Sequence, residues 1–202
     1  MANRSTHLHS APTHAEAAPS GQVHSGKATS FLRVDAYEHG GIVVTSTAVN
    51  AEGWLDPVHS AAGDGTSPPL EWSGVLEAES YVLIVEDPDA PRDEPMIHWV
   101  VWDIPGTATS LPANLGDKVH PEALSGATQG LNGVGGHGWT GMAPPQAHGV
   151  HHYHFQVFAV SKSLGFRPDT SLEHLVETLK GTTLAKGELV GLFENPDLPA
   201  GS

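Results

Sequence analysis

The residues of this chain whose types and spacing could do chemistry are aspartates and histidines in two short stretches. The first is Val85-Glu86-Asp87-Pro88-Asp89-Ala90-Pro91, followed by His98-Trp99-Val100-Val101. The second starts at Gly141-Met142-Ala143-Pro144-Pro145 and runs through His148-Gly149-Val150 into His151-His152-Tyr153. Asp87 and Asp89 stand at the end of an apolar run, where two X-Pro bonds fix the backbone and can hold a cis peptide. Asp-Pro pairs also make ordinary turns. His98 enters a strongly apolar segment on the strand face of Val100 and Trp102, and taken alone it is a hydrogen-bonded core histidine. His151 and Tyr153 share one strand face and could equally be ordinary strand residues. The Pro144-Pro145 loop, with Gly141 and Gly149, would free backbone N–H groups to face an anion. Three chemistries fit this inventory. Imidazole and phenol donors could bind an anion. Asp87 with His98 or His151 could act as an acid/base pair in a hydrolase. Asp87, His98 and His151 could form a two-histidine, one-carboxylate metal set. Against hydrolysis, the chain contains neither a Gly-x-Ser-x-Gly elbow nor His-Glu-x-x-His.

The elements that must position these groups read as strands. From Phe31 onward, short apolar runs alternate with Gly, Pro, Asp and Asn clusters at a period nearer two than 3.6. Strands are expected at 31–36, 42–47, 81–87, 97–104 and 151–161. In the last, His151, Tyr153, Phe155, Val157 and Ala159 share one face, and His152, His154 and Gln156 the other. That alternation suits a sheet packed on one side. Segment 98–104, with Trp99, Val100, Val101 and Trp102, is apolar on both faces and reads as a central strand. Toward the C-terminus, Leu172, Leu175, Val176 and Leu179 fall at helical spacing, with Thr170 and Glu173 as a capping box and Gly181 as a stop, predicting a helix over 171–180. A second helix over 183–193 would use Leu184, Leu189, Val190 and Phe193, and both helices would cover an open end of the sandwich. The expected fold class is mainly β: a two-sheet antiparallel β-sandwich with a short C-terminal helical segment.

Composition mainly excludes. Of 202 residues, 23 are acidic and 9 basic, giving −14 with the 14 histidines counted neutral. Residues 1–30 carry Arg4 and Lys27 against Glu16, so that segment is slightly positive and the acidity belongs to the rest. Such a balance argues against nucleic acid, whose binding needs clustered Lys and Arg, and against stable association with anionic membranes. The absence of cysteine excludes disulfides, thiolate-held metals and a thiol nucleophile. Residues 1–29 read as a flexible tail bearing His7, His9, His14 and His24, residues 30–194 as one domain, and 195–202 as a C-terminal tail. With no apolar signal core and no 18-residue apolar run, a cytoplasmic location is expected.

Taken together, the motifs are far more specific than singly. Asp-Pro-Asp-Ala-Pro at 87–91, His98 in His-Trp-Val-Val, and Gly141-x-x-Pro-Pro six residues before His151-x-Tyr153 resemble the phosphatidylethanolamine-binding protein family, above all its bacterial and archaeal Raf-kinase-inhibitor-like branch. Ser-Pro-Pro-Leu-x-Trp at 67–72 and Asp-Ile-Pro at 103–105 fit in order. The resemblance spans roughly 30–194. It implies a β-sandwich and a small pocket for a phosphate-like anion, lined by Asp87, His98, His151 and Tyr153. Pro91 and the Pro144-Pro145 loop would form walls, with Gly141 at the loop's start, and Asp89 would contact an ammonium head group or support the loop. It implies no enzyme activity, no cofactor and no resident metal, and a protein partner of kinase or protease type. Two departures stand out. Met96 replaces the family's usual aromatic, which would widen the pocket, and His152 replaces an Arg at a position that alternation turns away from it.

Overall fold

A computed structural model describes residues 26–36 and 41–195; residues 1–25 of the tail expected over 1–29, and 196–202 of that expected over 195–202, lie outside them. Two antiparallel sheets form the body. The smaller joins β1 (Val44–Thr45), β2 (Leu70–Trp72) and β5 (Ser110–Leu111) in the order β1-β2-β5. The larger has the order β6-β4-β3-β7-β8, from β3 (Ser80–Asp87), β4 (Met96–Pro105), β6 (Thr128–Gln129), β7 (His151–Val160) and β8 (Thr183–Phe193). Between the sheets Leu70, Trp72 and Leu111 meet Tyr81, Leu83, Val85, Trp99, Val101, Tyr153, Phe155 and Val157. The expected mainly-β two-layer architecture is what the chain adopts.

The larger sheet is buried on both faces, not one. Its outer face carries Val82, Ile84, Val100, Trp102, Phe158 and Val160, and these are covered by Leu175, Val176 and Leu179 of α2 (Leu172–Leu179). The helix expected over 171–180 therefore exists but roofs a sheet face instead of closing an open end. Its cap is Ser171, whose Oγ accepts from His174 N, and not the expected Thr170.

Two expected elements change type. Residues 183–193 are strand β8, paired with β7 along its length. Its inner face carries Ala185, Gly187, Leu189, Gly191 and Phe193, three of them small because other chain segments press close: a Cβ on Gly187 would lie 1.9 Å from Ile42 O. The period-two signal is thus written largely in small residues, leaving Leu184, Leu189 and Phe193 to mimic a helix. Residues 31–36 are not a strand; Ser30–Arg33 form a single helical turn, α1. Its amides are claimed by the sheet, since Ser30 N donates to Glu86 Oε2 (2.7 Å) and Phe31 N to Gln156 Oε1.

Around that turn lies a buried polar layer. Glu86 Oε1 accepts from Ser30 Oγ at 3.1 Å, and Gln156 Nε2 donates to Glu86 Oε2 at 2.8 Å. Burial pushes the Glu86 carboxyl above its usual range, against the pull of these donors. Beside it, buried His154 donates from Nδ1 to Glu188 Oε1 at 2.9 Å. Lys27 Nζ donates to the Pro88 and Ala90 carbonyls, so the packed chain begins ahead of the boundary expected at residue 30.

Candidate functional site

Asp87 ends β3 on the face of Tyr81, Leu83 and Val85, which points between the sheets. His151 opens β7 and Tyr153 follows two residues on, both on that same inner face. The carboxylate and imidazole meet: His151 Nδ1–H donates to Asp87 Oδ2 at 2.7 Å, with side chains 1% and 3% exposed. Asp87 Oδ1 accepts from Asp89 N at 2.8 Å, which folds the chain back after the strand.

His98 arrives by another route. Val85 pairs with Trp99 but Glu86 pairs with Ile97, so His98 is an extra residue in the ladder, a β-bulge. Unbroken alternation would send it outward with Val100 and Trp102, the face read from the sequence. Instead its ring packs edge-on to Tyr153 (centroids 5.0 Å) and against Trp139 (5.5 Å). His98 Nδ1–H donates to Thr140 O at 2.7 Å, while Thr140 N donates to His98 O at 2.9 Å. This fixes the tautomer and leaves Nε2 uncommitted. Burial holds the imidazole below its ordinary range, so His98 is the neutral histidine of the cluster. The Tyr153 phenol is pushed up, first by burial and then by the Asp87 and Asp89 carboxylates. It stays a neutral O–H donor, and its buried oxygen has no protein partner.

The other expected residues divide. Asp89 Oδ2 accepts from His152 N (2.9 Å) and from His152 Nδ1–H (2.8 Å), so Asp89 braces the loop to β7 and His152 faces that brace. Pro144 is buried, whereas Pro91 and Pro145 are exposed. Gly141 serves close packing: a Cβ there would lie 2.6 Å from Ala61 N, where Ala61 N donates to Met142 O. Met96 rests against Arg92 and the loop at Gly133. Among the described residues no peptide bond is cis. A groove of about 580 Å3 between the 47–57 segment and the end of β8, lined by Trp54, Leu55, Pro57 and Phe193, contains none of the four polar residues. The Asp87 cluster is instead a tight, buried corner.

Two residues of the neighbourhood were missed by strand alternation. His148, in the turn before β7, places Nδ1 2.8 Å from His151 Nε2. Trp139 walls His98 and donates from Nε1 to His59 O at 3.0 Å. The Gly-flanked His148 three residues before His151 was the available signal; Trp139 lies in an irregular loop and had none.

The chemistry open to this corner is limited. Asp87 is spent on His151 and Asp89 N, and His98 turns Nδ1 to a backbone carbonyl. Against the two-histidine, one-carboxylate metal reading, among the described residues no three His, Asp or Glu side chains gather as a metal-ligand set. Among the described residues no helix is long and apolar enough to cross a membrane.

Comparison with known proteins agrees with this architecture. The sequence model of the phosphatidylethanolamine-binding protein family matches residues 45–194. A UPF0098 protein of Pyrococcus abyssi is 36% identical over 154 residues, covering 76% of this chain and 85% of its own. The UPF0098 protein YbcL of Escherichia coli is 34% identical over 158 residues, 75% of this chain and 86% of YbcL. The crystal structure of YbcL, described as a member of the mammalian PEBP family, superposes with a TM-score of 0.71 at 32% identity, over 77% of this chain and 99% of that one. That of a PEBP homolog from Chlamydia trachomatis gives 0.68 at 32% identity, over 77% and 98%. With three quarters of its length matched and Asp87, His98, His151 and Tyr153 drawn to one corner of that fold, the chain belongs to the phosphatidylethanolamine-binding protein family.

Proposed function

We propose that the chain is a non-catalytic receptor for a small phosphate-bearing anion, free phosphate or a phosphorylated head group, held at Asp87, His98, His151 and Tyr153. The observation that carries the reading is the buried Tyr153 hydroxyl, a donor without a protein partner beside the Asp87–His151 pair. An unsatisfied buried donor costs about 1–3 kcal/mol, and a ligand oxygen would recover it. Asp87 orients His151, the Tyr153 phenol donates to a phosphate oxygen, and the uncommitted Nε2 of neutral His98 accepts from a protonated one. The site must act locally, because the chain as a whole carries −14 and repels anions at long range. Affinity should accordingly rise as pH falls from 8 toward 6.

NMR titration with phosphate, acetate and phosphoethanolamine tests this directly. Shifts confined to residues 87–98 and 141–153 are expected, strongest for the phosphate compounds. No response at millimolar concentration would remove the reading and leave the fold untouched.

A hydrolase is the second reading, favoured by one observation: Asp87 and His151 have the spacing of a base and its orienting carboxylate. Among the described residues no serine or threonine completes it, since His148 occupies the Nε2 side, and the chain has no cysteine. Turnover of a phosphate ester that disappears in His151→Ala would overturn the receptor reading. Modulation of a kinase or protease partner is a further part of the proposal, supported by family membership and tested by inhibition assays on the ligand-loaded protein.

A further inference from the structure

The turn between Pro145 and β7 carries an exposed histidine in an unusual setting. Ala147 has φ of 59° and Gly149 of 83°, so residues on both sides of His148 are left-handed. For alanine that conformation costs on the order of 1 kcal/mol. The curl brings the His148 ring back over the start of β7, with centroids 5.0 Å from His151 and Nδ1 2.8 Å from His151 Nε2.

The proton inventory of this contact follows from its inner end. Asp87 can only accept, so His151 carries a proton on Nδ1. In the neutral ring its Nε2 is then an acceptor, and the 2.8 Å contact is a hydrogen bond only if His148 carries its proton on Nδ1. Nε2 of His148 is left as the outermost lone pair of the series.

Building on the anion-site reading, we propose that His148 is a further anion-contacting residue: the outer ring of an Asp87–His151–His148 relay, which takes up one proton at Nε2 and donates it to the bound phosphate. The proton leaves a buffer acid or the O–H of dihydrogen phosphate; that bond to hydrogen breaks as one N–H bond forms at His148, and the proton stays on nitrogen as the hydrogen-bond donor. The two inner partners then face an imidazolium, with Asp87 supplying the countercharge through His151. The other groups around the pair do not compete for this proton. His98 is buried with Nδ1 on Thr140 O, Tyr153 is a neutral phenol, His152 gives its Nδ1–H to Asp89, and Arg92 is already a cation. His148 is the exposed imidazole of the group, where a charge keeps most of its hydration.

Two measurements on the full chain decide it. In calorimetry with inorganic phosphate at pH 8, in buffers of different ionisation heat, wild type should take up one more proton per phosphate than His148→Gln. The variant should also bind about tenfold more weakly, the scale of one charge-assisted hydrogen bond. Without ligand at pH 8, imidazole 15N shifts should place the proton on Nδ1 in both His148 and His151, and Asp87→Asn should move both to Nε2. The wild-type pattern stands even if that variant does not fold. A ligand-free His148 protonated on Nε2, or phosphate binding by His148→Gln equal to or tighter than wild type, overturns the role of His148 alone. Wild-type protein indifferent to phosphate overturns the anion-site reading itself.

Discussion

Replacing Glu86 by Gln and by Ala should have opposite consequences. The carboxyl is 2% exposed and accepts from Ser30 N, Ser30 Oγ and Gln156 Nε2. Glu86→Ala strands the first of these with no other partner and leaves Gln156 Nε2 only a 3.3 Å contact to His154 O. Stranding buried donors costs about 1–3 kcal/mol each, so with the cavity a loss of about 3 kcal/mol is expected, after allowing for release of the buried carboxylate. Glu86→Gln keeps the shape and one acceptor oxygen, and its amide can donate to Ser30 Oγ. It also removes the cost of holding a charge in the interior. Because the folded carboxyl titrates above its unfolded value, its contribution is complete below about pH 4.5 and fades as pH rises through the folded value. Glu86→Gln should therefore match or exceed wild type at pH 7 and lose that advantage toward pH 4.5. Urea denaturation at both pH values measures this. For a body of this size, 3 kcal/mol corresponds to a fall in Tm of roughly 6–12 °C for the alanine variant. A glutamine variant as unstable as the alanine one at pH 7 would refute the reasoning, since the network would then require the ionised carboxylate.

Tyr153→Phe should leave stability unchanged or raise it by up to about 1 kcal/mol, because it removes a buried unpaired hydroxyl, while weakening phosphate about tenfold; denaturation and titration read the two separately. Gly141→Ala should cost about 1–3 kcal/mol by urea denaturation, since the new methyl would sit 2.6 Å from Ala61 N in backbone that cannot yield cheaply. His98, held below its ordinary range, stabilises above about pH 6.5 and loses that contribution as pH falls, when the unfolded chain takes up a proton that the native one refuses. Between pH 6.5 and 5, His98→Gln should flatten the stability curve by up to about 1.4 kcal/mol per pH unit, followed by denaturation in a pH series.

The parts of the site visible in the sequence were those obeying strand alternation. His151 and Tyr153 share a face two residues apart, and Asp87 follows Val85 on the inner side of β3. His98 was found through its motif but assigned to the wrong face, because a bulge changes the count without changing the composition. His148 was invisible to a period of two, since a turn with left-handed residues, and not a strand, carries it to His151. The outer polar layer was misread for a different reason. His154 and Gln156 alternate with apolar residues as solvent-facing side chains would, yet His154 is buried on Glu188 and Gln156 on α1 and Glu86, and nothing local announces a lid some 125 residues away in the chain. β8 shows the reverse problem: small inward residues hid a strand whose identity depends on Ile42 and Leu55 pressing against it.

The unopposed position at His98 gives the corner a peculiar kind of fragility. Every other side chain in it could be retained, and the five-strand ladder kept, while deletion of the one residue between Ile97 and Trp99 restored regular pairing from Val85 onward. The imidazole would be lost from beside Tyr153, yet almost nothing in overall composition or sheet content would record the event. In this fold, function can be switched by counting, and a relative with an intact Asp-Pro-Asp-Ala-Pro run but a β4 shorter by one residue is best regarded as a scaffold that has left the trade.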